Sequence, residues 1–121
     1  MENDTNNDYV REYAPYESAT AFLKKRLKGQ DRVRWSFVIQ GIPDEAAARI
    51  IELQVKACFA QELELNSRSV EDGAGATWRL TARTVPGKLP KEKDFHERAG
   101  WLWGLASHYG ARLESLAFQL E

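Results

Sequence analysis

The chain has 121 residues, 43% hydrophobic and 29% charged, which is enough for one small globular core and too short for two ordinary domains. Seventeen Lys and Arg against 18 Asp and Glu leave a formal charge of −1, without the basic excess of a general nucleic-acid binder. A lone cysteine, Cys58, excludes a disulfide framework and a cysteine-built zinc site, and no apolar run approaches the ~18 residues of a membrane helix.

Residues 1–16 read as a flexible arm, since Met1 to Asp8 are polar and without periodicity, although Tyr9, Tyr13 and Tyr16 cluster around Pro15. The N-terminus has no apolar core of a signal peptide, and a cytoplasmic protein is expected. A single domain is then expected over residues 17–121. Its first element is a helix at 17–28, with Ala19, Phe22, Leu23 and Leu27 on one face, basic residues in the last turn and Gly29 to end it.

Residues 32–40 alternate: Val33, Trp35, Phe37 and Ile39 point one way and Arg34, Ser36, Val38 and Gln40 the other, the signature of a strand with one buried face. Pro43, Asp44 and Glu45 start a helix whose apolar stripe reads Ala46, Ala47, Ile50, Leu53, Ala57 and Cys58. A second strand is expected at 62–70, turning back through residues 71–75 into a third at 76–85. In that third strand Trp78, Leu80 and Ala82 point inward, and Thr77, Arg79, Thr81 and Arg83 outward. Residues 86–93 read as a loop. Asp94 is placed to cap a helix that Gly110 ends, and the last strand covers 112–120. Leu113 is out of phase with Leu116, Phe118 and Leu120, which places a bulge near Glu114. The order β-α-β-β-α-β predicts an α+β, ferredoxin-like sandwich: a four-stranded antiparallel sheet with two helices on one face, preceded by the N-terminal helix.

Chemistry-bearing residues are few. His96 and His108 are twelve positions apart on one expected helix, roughly 18 Å of rise, so they cannot share a metal ion. Cys58 falls on an apolar stripe, where a thiol is inert. The run Asp72-Gly73-Ala74-Gly75 lacks the spacing and the Lys of a phosphate loop. No catalytic residue, metal or cofactor is expected. Sheets of this type that read single-stranded RNA stack bases on aromatic residues of the open face. Here Trp35, Phe37 and Trp78 point into the core, so no direct nucleic-acid binding is expected. The outward Arg34, Arg79 and Arg83 suit a solvated face balanced by Glu62 and Glu64, or a polar protein-docking surface.

In the last helix Phe95, Ala99, Leu102, Leu105, Ala106 and Tyr109 form a core stripe flanked by Trp101 and Trp103, while Gly100, Gly104 and Ser107 occupy the opposite side. Two interior glycines cost roughly 1 kcal/mol each against alanine and invite close approach of another backbone. The expected occupant is the helix at 17–28, in which case a larger residue at 104 destabilises the fold. Otherwise Gly100, Trp103 and Gly104 become an interface for a second chain.

The helix before the first strand, the step Val38-Ile-Gln-Gly-Ile-Pro-Asp-Glu45, Trp78-Arg-Leu-Thr-Ala82 and above all Leu102-Trp-Gly-Leu-Ala-Ser-His-Tyr-Gly110 resemble the B-type regulators of ribonuclease E activity, over residues 17–121. The resemblance implies a ferredoxin-like fold and a non-catalytic protein that binds an RNA-degrading enzyme and lowers its activity. Where that family commonly has Tyr-Asp-Gly-Trp after the helix, this chain has Ala111-Arg-Leu-Glu-Ser115, and the family's characterised members are strongly acidic. The other readings open at this stage are an immunity- or antitoxin-like inhibitor, acting as monomer or homodimer, and a dimer that senses a small molecule.

Overall fold

The computed structural model describes residue 20 and residues 32–59, 63–73 and 75–120. Of the expected helix at 17–28 only Thr20 is among them; it is helical and fully buried. The arm at 1–16, Gly29 and Glu62 lie outside the described residues.

From residue 32 onward the described elements are β1 (Arg32–Ile42), α1 (Glu45–Phe59), β2 (Leu63–Asp72), β3 (Gly75–Thr84), β4 (Gly87–Lys88), α2 (Glu92–His108) and β5 (Arg112–Leu120). The protein is α+β, with one antiparallel sheet. β1 pairs with β3, β4 and β5, and β2 pairs with β3. This pattern is compatible with a ferredoxin-like sandwich. Both helices lie on one face of the sheet: the Trp35 ring is 5.7 Å from that of Phe59 on α1 and 5.6 Å from that of Phe95 on α2. Val33, Trp35, Phe37 and Ile39 of β1 join Leu80 and Ala82 of β3 and Leu113 and Phe118 of β5 beneath those helices. Period-two alternation of aromatic and branched residues delivers this layer.

Local signals explain the element ends. The Asp44 carboxylate accepts from the Ala47 N–H at 2.8 Å, satisfying one of the donors left free at the start of α1. α2 ends in a left-handed Gly110 (φ 72°), whose N–H donates to Ser107 O, while the Ala111 N–H reaches Ala106 O at 2.8 Å. The bulge expected in β5 is present: Val38 faces Ser115 and Ile39 faces Leu113, so Glu114 is the extra residue. β1 has its own irregularity between Ile39 and Ile42, where Gly41 takes φ 78°.

Three expectations need correction. The sheet has a fifth, two-residue strand, because Val85 and Leu89 each precede a proline and are held extended, which lets Gly87 and Lys88 pair with Val33 and Arg32. α2 begins at Glu92 rather than at an Asp94 cap; Lys91 is the cap residue and makes no side-chain bond. The stripe of α1 is turned by one residue: Ala47, Ala48, Ile51, Val55 and Phe59 are buried, whereas Ile50 is 41% and Leu53 68% exposed. The sequence offers two overlapping apolar stripes, and the sheet takes the one ending in Phe59, whose ring stacks on Phe37 at 5.6 Å. A Cβ at Gly104 would meet no described atom within 4 Å, and the occupant expected there, the helix at 17–28, lies outside the described residues apart from Thr20.

Candidate functional site

Two separate surfaces carry the residues singled out from sequence, one on each side of the sheet. Arg34, Arg79 and Arg83 lie on the open face, away from α1 and α2, whereas Gly100, Trp103 and Gly104 belong to α2 on the covered side.

On the open face β1 contributes Arg34, Ser36, Val38 and Gln40, and β3 contributes Thr77, Arg79, Thr81 and Arg83, none of them aromatic. Strand register sets their partners. Glu64 of β2 stands opposite Arg83 and accepts from its Nε at 2.9 Å and its Nη2 at 2.6 Å. The same carboxylate lies 3.9 Å from Arg34, whose Nη1 also donates to the Thr84 carbonyl at 3.4 Å. Glu64 is therefore the shared anion that brings Arg34 and Arg83 together. Arg79 is paired elsewhere: the β5 bulge turns Glu114 onto this face, 3.5 Å from the guanidinium. These pairs are largely exposed and screened, so each contributes at most ~1 kcal/mol to stability. Between the strands lies a shallow concavity of about 360 Å³ lined by the side chains of Ser36, Glu64, Asn66, Thr81, Arg83 and Gln119. The buried Gln40 Oε1 has no hydrogen-bond partner among the described residues.

The covered side differs from expectation in its aromatic residue. Trp103 is 7% exposed and part of the core, while Trp101 is 38% exposed. Trp101, Gly104, Leu105 and His108 of α2, Tyr109 just after it and Gln54 of α1 line a groove of about 390 Å³, which a second hollow bordered by Ala57 and Cys58 extends. Gly100 is half-buried. Together with the exposed Ile50 and Leu53 of α1, Trp101 forms the apolar part of this surface. Burial pushes the Cys58 thiol above its usual range, against the pull of the Arg98 charge, so the thiolate is disfavoured.

A third hollow, about 490 Å³, lies at one end of the sheet between β3, β4 and α2 and mixes Lys88 and Arg98 with Asp94 and Glu97. Among the described residues no three His, Cys, Asp or Glu side chains are grouped to hold a metal ion, and no helix is long and apolar enough to cross a membrane.

Sequence reasoning overlooked Arg68, Arg112 and Glu114 on the open face. Glu114 was flagged as a bulge but not as an ion-pair partner. The Arg68 position was recoverable from the hairpin, since pairing Asp72 with Gly75 puts Arg68 opposite Arg79 by counting back four residues. No protein-family model matches the chain, and neither a curated protein nor a solved structure matches it.

Proposed function

We propose that this protein is a non-catalytic, cytoplasmic regulator that binds another protein and masks part of its surface. It would do so from a ferredoxin-like sandwich of the kind used by the B-type regulators of ribonuclease E activity. The observation that carries the reading is the open sheet face: among the described residues no helix lies on it and it has no aromatic ring on which a base could stack, while its side chains are charged and hydrogen-bonding. Such a face is suited to recognising a shaped, charged protein surface, with rim charges setting partner choice and encounter rate. An RNA-degrading enzyme is one partner of this class and a toxin is another. The helical resemblance centred on residues 102–110 favours the first.

The test is to capture the tagged full-length protein from native lysate and then reconstitute any stoichiometric complex from purified parts. A complex that forms one-to-one and reduces the partner's activity supports the reading. Failure to recover any stoichiometric protein partner would sink both the ribonuclease and the toxin versions. The 360 Å³ concavity favours one further reading, a dimer holding a small polar ligand between open faces. Light scattering that returns a strict monomer at high concentration counts against it.

A further inference from the structure

Whole-chain neutrality hides a local excess on the open face. By strand register that face carries Arg32, Arg34, Arg68, Arg79, Arg83, Lys88 and Arg112 against Glu64, Asp72 and Glu114, seven cations to three anions among the described residues, on a chain whose net charge is −1. Six of the seven are arginine. The planar guanidinium fork meets a carboxylate with two parallel hydrogen bonds, a fit that the point charge of lysine does not offer.

Their placement is costly to the fold. Arg68 and Arg79 stand directly opposite each other across β2 and β3, and like charges so placed destabilise a sheet. Glu114 neutralises Arg79 alone; neither Arg68 nor Arg112 makes an ion pair among the described residues. A sheet selected only for stability would alternate charge here, as it does two registers away where Glu64 faces Arg83. An anionic ligand removes the conflict.

We infer that this face docks an acidic, carboxylate-rich segment of a partner protein, with Arg68, Arg79 and Arg112 as its main anchors. The inference rests on the protein-binding reading above and names the chemistry of the partner. A nucleic acid is the less suitable anion. Its phosphates form a continuous charged track that would run over Glu64 and Glu114, and its bases find no ring on the face among the described residues. An acidic peptide places discrete carboxylates over Arg68 and Arg112 and lays neutral residues over Glu64. There Ser36, Asn66, Thr81 and Gln119 offer uncharged hydrogen bonds.

The experiment titrates the full-length protein at low salt with labelled oligoglutamate, oligolysine and oligothymidylate, reading fluorescence anisotropy. Oligoglutamate should bind best, weaken with added salt, and lose at least about tenfold in affinity to the Arg68→Glu/Arg79→Glu double variant. Arg68→Gln is the control for folding: removing the like-charge pair should leave the melting temperature unchanged or raised while still weakening oligoglutamate. Tighter binding of oligothymidylate or oligolysine would overturn the inference, as would oligoglutamate binding that ignores both variants. A stoichiometric partner cross-linked at Trp101 and Leu53 rather than at the arginines would overturn it too, yet leave the regulatory reading standing. Intact, arginine-dependent oligoglutamate binding with no protein partner recovered would do the reverse.

Discussion

Two adjacent isoleucines in α1 give the sharpest test of how the core is assembled. Ile51 is fully buried and Ile50 is 41% exposed, although both belong to apolar stripes of the same helix. Ile→Ala removes three carbons, about 2.4 kcal/mol of transfer free energy at ~0.8 per methylene when the side chain is wholly buried. At Ile51 a cavity adds to this, because the sheet beneath relaxes only partly, for an expected loss of about 3–4 kcal/mol. At Ile50 water fills the vacated space, and the loss is about 1 kcal/mol or less. Both substitutions gain the same small helix-propensity benefit of alanine, so it cancels in the comparison. The difference of at least about 2 kcal/mol corresponds to a gap of roughly 8 °C in melting temperature for a domain of this size. Urea denaturation and thermal melts of Ile50→Ala and Ile51→Ala, measured side by side, read it directly. Equal losses, or a larger loss at Ile50, would refute the orientation of α1 and with it the exposed apolar surface next to Trp101.

Three further outcomes are expected. Burial alone would raise the Glu52 carboxyl, but hydrogen bonds from the Ser67 hydroxyl (2.6 Å) and Arg49, helped by the charges of Arg49 and Lys56, hold it below its usual range. With the folded-state value depressed, this tie stabilises the fold above the unfolded carboxylate range of about 4.3 and is lost as pH falls through the folded value. Glu52→Gln should therefore cost on the order of 1 kcal/mol at pH 7 and almost nothing in strong acid, and a pH-independent cost in paired melts would contradict the tie. Thr84→Val keeps shape but strips the hydroxyl that accepts from the buried Trp35 N–H at 2.9 Å. A loss of about 1–3 kcal/mol and faster amide exchange at Trp35 are expected, and unaltered exchange would count against it. Gly104→Ala places its methyl in open space within a helix and should stabilise by about 1 kcal/mol; a lower melting temperature would mean that another segment lies against that position.

The sequence announced those elements in which a single pattern had no rival. β1 was legible because only one face of its alternation is apolar throughout, and the β5 bulge because Leu113 breaks phase with Leu116. α1 was misread at the level of its face because Ile50, Ile51, Leu53 and Val55 serve two stripes, and only contact with Phe37 and Trp35 chooses between them. β4 escaped notice since a two-residue strand has no period of its own. The candidate surface was legible as a row of outward arginines, but their partners depend on register. The broad turn expected over residues 71–75 left the pairing of β2 with β3 undetermined by a residue or two. That margin decides whether Arg79 faces a serine or another arginine.

Glu114 deserves a last consideration as a matter of chain length. Remove it, and Leu113 and Ser115 become neighbours that still face Ile39 and Val38, so the strand runs in unbroken alternation from Leu113 to Phe118 with every core side chain in place. The bulge is thus a one-residue insertion that the core does not require. Its visible contribution is to set a carboxylate beside Arg79. A version of the chain one residue shorter would keep the same fold and present a more positive face. Variation in length at this one position could therefore tune the surface charge independently of the scaffold.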